Sequence, residues 1–115
     1  MLIIDSSKVK FEPLTKGNVK GVWVKQLINK DVGAEKFYMR IYKVEKGGNT
    51  NFDIHIHEHE VYVLKGKGVL NQGNKFVEIK EGDAIYIKSF EPHQFLNKDD
   101  EPLIFLCVRG SEKIY

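Results

Sequence analysis

Hydrophobic and polar positions alternate along this chain with a period of two, and no window of a dozen residues carries a capped helical pattern. Lys20 to Ile28 reads as a strand, with Val22, Val24 and Gln26 on one face and Trp23, Lys25 and Leu27 on the other. Lys36 to Val44 interleaves aromatic and aliphatic residues with charges in the same way. Glu60 to Lys65, Lys75 to Ile79, Ala84 to Ile87 and Leu103 to Arg109 are shorter β-rich runs. Gly47-Gly48-Asn49, Gly66-Lys67-Gly68, Asn71 to Asn74 and Glu81-Gly82-Asp83 punctuate them roughly every ten residues, the spacing of an all-β sandwich or barrel. Asn71 to Asn74, between Val69-Leu70 and Phe76-Val77, reads as a hairpin tip. The pattern predicts eight or more antiparallel strands in one domain without linker or repeat. Met1 to Ile4 and Val9 to Phe11 read as edge strands, and Trp23, Phe37, Phe76 and Phe105 as core.

Composition narrows the class without naming a function. At 115 residues, a multidomain enzyme is excluded, while the chain is long enough to bury about two-thirds of its unfolded surface without disulfides. Cys107 is the single cysteine; with no leader-like N-terminal stretch, a reducing cytoplasm is expected. No apolar run approaches the ~20 residues of a membrane span. The 18 cations are nearly all scattered lysines, Arg40 and Arg109 being the exceptions, which argues against nucleic acid as a partner.

Three of the four histidines fall within Asp53-Ile54-His55-Ile56-His57-Glu58-His59-Glu60; the fourth is His93. Imidazoles and carboxylates at this density point to a metal. In an extended strand, same-face residues two apart lie about 6.6 Å from each other, close enough for two rings to converge on an ion at about 2.1 Å. Residues six apart lie about 20 Å from each other. Asp53, His55 and His59 can therefore share an ion only if the chain bends around Ile56 to Glu58. Otherwise His55 and His57 form the pair and Asp53 is left outside. Glu58 and Glu60 flank His59 and by alternation face solvent or a lysine.

With these residues in place the sequence resembles the cupins, small β-barrels with a metal site in the barrel mouth. Their first motif runs from a glycine through His-x-His and a glutamate to a second glycine. Here Gly47-Gly48-Asn49-Thr50 precedes the cluster, and Glu60-Val61-Tyr62-Val63-Leu64-Lys65-Gly66-Lys67-Gly68 follows it. In the second motif Gly82 and Asp83 open and His93 and Asn97 close at the expected positions, while Lys88 and Phe90 replace the usual proline and glycine. The resemblance is closest to small single-domain cupin 2 (conserved barrel) proteins that hold a metal with four histidines. It implies an antiparallel double-stranded β-helix or jelly-roll barrel with little or no helix, one domain over 1–115, N-terminal edge strands in 1–11 and a barrel core over about 36–109.

On that pattern His55, His59 and His93 take the second, third and fourth ligand positions. Asp53 stands where the first histidine would be, and His57, the alternative ligand, where the subgroup has a bulky aromatic residue. Exchanging one imidazole for a carboxylate lowers the net charge of the site by one and suits Mn, Fe or Zn, with Ni or Cu as further choices. Asp53 could instead orient His55 from outside the ligand set. Arg40 and Tyr62 read as ordinary strand surface residues or, alternatively, as handles at the mouth for an anionic substrate; Cys107 reads as a buried core thiol or as a pocket residue with Phe95 and Phe105. The implied function is a metal-dependent enzyme acting on a small organic molecule, by a dioxygenase-like oxidation or an isomerase or lyase step. The alternative is a non-catalytic metal- or small-ligand-binding module. A homodimer paired through an edge strand is expected from the same resemblance.

Overall fold

Alternation of inward and outward side chains decides the architecture, because a strand with one apolar face has to bury it against other strands. The computed structural model describes residues 1–112; residues 113–115, the end of the expected domain, lie outside the described residues. Nine strands form: β1 (Glu12–Leu14), β2 (Lys20–Ile28), β3 (Phe37–Asn49), β4 (His59–Lys65), β5 (Lys67–Asn71), β6 (Phe76–Lys80), β7 (Ala84–Ile87), β8 (Gln94–Leu96) and β9 (Leu103–Gly110). They pair antiparallel in one curled sheet of order β6-β5-β8-β3-β9-β4-β7, with β2 on β3 and β1 on β2. The complete helical elements are two 3-10 turns, Ser6–Lys8 and Lys30–Val32, so the expected all-β jelly-roll class is the one found. Among the described residues no helix is long and apolar enough to cross a membrane.

Cross-strand rungs bring the inward residues into layers. Arg40 pairs with Cys107 and Cys107 with Val61; one layer further down, Tyr42 pairs with Phe105 and Phe105 with Val63. Facing residues of neighbouring strands share one side of the sheet, so these side chains meet inside. Val22, Val44, Val63, Leu70, Ile79, Leu103 and Phe105 fill the interior below, with Phe95 stacked on Phe105 at 4.3 Å between ring centroids.

Several expectations are corrected. Met1 to Ile4 and Val9 to Phe11 form no strand; the N-terminal strand is Glu12–Leu14, where Leu14 can turn inward to pack against the core. Gly47-Gly48-Asn49 is the end of β3 and continues the ladder to Asn49 opposite Lys20 and Leu96. Phe37 and Phe76 are 61% and 64% exposed: each opens its strand, where little of the sheet covers it. Trp23 is half-buried on the outer face of β2, with the Lys43 ammonium 5.7 Å from its ring.

Candidate metal centre

The loop between β3 and β4 makes the site. After Thr50 the chain rejoins the sheet for one bridge, Asp53 opposite His93, then bends at Ile56 and His57 and enters β4 at His59. The Asp53 N–H donates to the His93 carbonyl at 2.9 Å and the His93 N–H to the Asp53 carbonyl at 3.0 Å. The turn between β7 and β8 holds the far side: the Phe90 N–H donates to the His55 carbonyl at 2.6 Å and the Ser89 hydroxyl to the Ile56 carbonyl at 2.7 Å. This bend is what lets residues distant along an extended chain converge.

His55, His59 and His93 each offer a ring nitrogen, and the three nitrogens lie within 4.8 Å of one another. Their ring centroids are 5.1 to 5.4 Å apart. His59 and His93 are buried, and His55 is half-buried at the rim. Donor chemistry fits a divalent ion at this point. His93 Nδ1–H donates to the Glu91 carbonyl at 2.9 Å; a carbonyl can only accept, so in the neutral ring the lone pair is on Nε2. On His59, Nδ1 lies 3.5 Å from the Cys107 Sγ, while the buried Nε2 meets no hydrogen-bonding partner. A buried nitrogen left without a partner costs free energy that coordination would recover.

Burial, assisted by the positive charge of Arg40, pushes the His59 pKa down to about 3, so its ring is neutral at physiological pH and ready to ligate without releasing a proton. Burial also lowers the His55 pKa, against the opposing pull of the Asp53 carboxylate, whose Oδ2 lies 3.5 Å from His55 Nε2. Asp53 thus flanks the trio at His55. His57 sits in the bend, half-buried, 5.8 Å from the His55 ring and outside the cluster, with its pKa lowered by burial and by Arg109.

The histidines open onto a cavity of about 70 Å³. Arg40, Phe95, Phe105 and Cys107 line it, with Asp53. Tyr62 does not: β4 turns His59, Val61 and Val63 inward, so Tyr62 points out and is 47% exposed. Sequence reasoning also passed over Tyr42, Val61, Ile87, Thr50 and Asn51 in the wall. Counting in twos from Arg40 and from His59 yields Tyr42 and Val61 directly. A wider cleft of about 530 Å³ runs along β5 and β6, but its Lys80 and Lys67 already lie at Asp83 and Asp99 and it holds no imidazole.

Comparison with known proteins follows the same lines. A family model described as a cupin domain matches residues 40–109. The chain is 33% identical over 75 residues to 1-methylthio-D-xylulose 5-phosphate methylsulfurylase of Rhodospirillum rubrum, a match covering 65% of this chain and 48% of that protein, about half its length. It is 30% identical over 112 residues to an oxalate-binding protein of Thermotoga maritima, 93% and 92% of the two chains. The polyketide cyclase RemF of Streptomyces resistomycificus superposes with a TM-score of 0.91 at 31% identity, over 97% of this chain and 80% of that one.

Proposed function

The chain belongs to the cupin family, and from that premise we propose a metal-dependent enzyme acting on a small organic molecule, with one divalent ion held by His55, His59 and His93 and by Asp53 as the fourth group. The observation that carries this reading is the convergence of three ring nitrogens within 4.8 Å, two of them freed for an ion by the groups around them. When bound, the ion supplies a Lewis acid able to polarise a carbonyl or enolate oxygen of the substrate. The remaining work falls to the chain. Glu91 fixes the orientation of His93, and Val61, Ile87, Phe95 and Phe105 keep bulk water from the cavity floor. Relatives named as a methylsulfurylase and a polyketide cyclase support an enzymatic role.

The donor set suits Mn, Fe or Zn, then Ni or Cu. Elemental analysis of protein stripped with chelator and reloaded should find about one ion per chain; less than about a tenth would end the reading. The buried thiol of Cys107 fits a reducing cytoplasm. We also expect two copies to associate, so that sedimentation returns about twice the 13.3 kDa chain mass.

A second reading, a binding module without turnover, has its own support. Among the described residues Asp53 is the only carboxylate in the cavity wall, and as a metal ligand it leaves no carboxylate general base. The relative matched along nearly all of both chains is named for binding oxalate. Oxygen uptake and product analysis across diketones, thiols and phenols separate the two: conversion of any of them by the reloaded protein favours the enzyme.

A further inference from the structure

The two arginines of this chain occupy opposite electrostatic situations. Arg109, on β9, is answered: its Nη2 lies 3.1 Å from a Glu112 carboxylate oxygen, and its guanidinium covers the Tyr38 ring at 5.0 Å. Arg40, on β3, lines the histidine cavity and has no carboxylate within ion-pair distance among the described residues. Its guanidinium covers the Tyr42 ring at 5.0 Å and lies against the Cys107 sulfur, a weak acceptor, while its buried Nε meets no acceptor. A guanidinium presents five N–H donors in a flat fork that matches a carboxylate, and a buried donor left unanswered is destabilising.

We propose that Arg40 grips the carboxylate of a small organic acid seated in the cavity, which makes such an acid the ligand class of the site; the rest of that molecule facing the histidines rests on the metal reading above. Charge supports an anion. A divalent ion and Arg40 together bring three positive charges, and Asp53 removes one. Size supports a small one. A cavity of about 70 Å³ holds a handful of non-hydrogen atoms, the scale of oxalate or pyruvate. The walls support one charged end near Arg40 and an uncharged flank: Tyr42, Phe105 and Phe95 stack in sequence beneath it, at 5.2 and 4.3 Å between centroids, and offer no second cation.

Calorimetric titration of the full chain, reloaded and metal-stripped, with oxalate, pyruvate, inorganic phosphate and the neutral oxamide tests this. Oxalate and pyruvate should bind the wild type at least roughly tenfold more tightly than oxamide or phosphate. Arg40→Gln should weaken oxalate by roughly 10- to 100-fold at unchanged ion content, as expected for loss of charge-assisted hydrogen bonds, and Arg40→Lys should restore only part because an ammonium lacks the fork. Wild-type affinity in Arg40→Gln overturns the proposal. So does equal binding of oxamide or phosphate by the wild type, or no carboxylate binding at all, and neither depends on a variant folding. A chain that takes up no ion yet binds oxalate through Arg40 sinks the metal reading and sustains this one; loss of carboxylate binding with the ion in place does the reverse.

Discussion

His93 joins the trio from the position just before β8, remote in sequence from the histidine-rich loop, so its removal separates ligation from the local behaviour of that loop. His93→Ala should abolish stoichiometric ion uptake while the far-ultraviolet dichroism stays that of a β protein. His57→Ala should keep about one ion per chain, since its ring lies outside the cluster; loss of the ion there would transfer the remaining ligand position to His57. The depressed His59 pKa sets a pH dependence. In the unfolded chain this imidazole binds its proton near 6.5, in the folded one only near 3, so the unfolded state gains protons first as pH falls. The metal-free protein should therefore lose stability progressively between about pH 6.5 and pH 3, by about 1.4 kcal/mol for each unit the shift spans. Denaturant melts at pH 7 and pH 4 would show it, and His59→Gln should flatten the difference. At this scale the sequence was readable where composition was anomalous. Three histidines in five residues announce themselves, and the subgroup pattern added His93. The neutral-looking wall did not: Tyr62 sits next to inward residues and differs from them only in the parity of its position on β4.

The turn between β7 and β8 shows how one element bears on the site. Phe90 occupies the place where the cupin motif has glycine, and it adopts φ +63°, a left-handed conformation that a residue with a Cβ holds at a cost of about 1–2 kcal/mol. Its ring is 64% exposed and gives little packing in return. Phe90→Gly should accordingly stabilise the protein by about 1 kcal/mol, read as a shift of the denaturation midpoint, with ion content unchanged. A loss of stability would mean that the ring packs more in solution than its exposure allows. Long strands such as Lys20–Ile28 could be located from alternation alone, because each carries enough inward positions to impose a period. Short ones could not. Gln94–Leu96 and Glu12–Leu14 have three residues each, and their pairing is decided by what lies beside them. Gly47 and Gly48 look like punctuation but extend β3, since glycine signals permissive backbone and not necessarily a reversal.

For the whole molecule, the sheet curls so that one end of the interior is filled by Val44, Val63, Leu103 and Phe105 while the other carries the imidazoles. Stability and binding are coupled through that shared interior. Free ion at a hundred times its dissociation constant should add about 2.7 kcal/mol to the unfolding free energy, visible as a rise of several degrees in Tm that chelator reverses and that His93→Ala abolishes. The reciprocal pair of hydrogen bonds between Asp53 and His93 bears on how that coupling works. It closes the span from one ligand-bearing segment to the other within the backbone itself, so ion capture has only side-chain torsions left to order. The two tied amides should accordingly exchange their hydrogens slowly with solvent deuterium even before any ion arrives, and association should be limited by shedding of the ion's hydration shell instead of by a rearrangement of the fold.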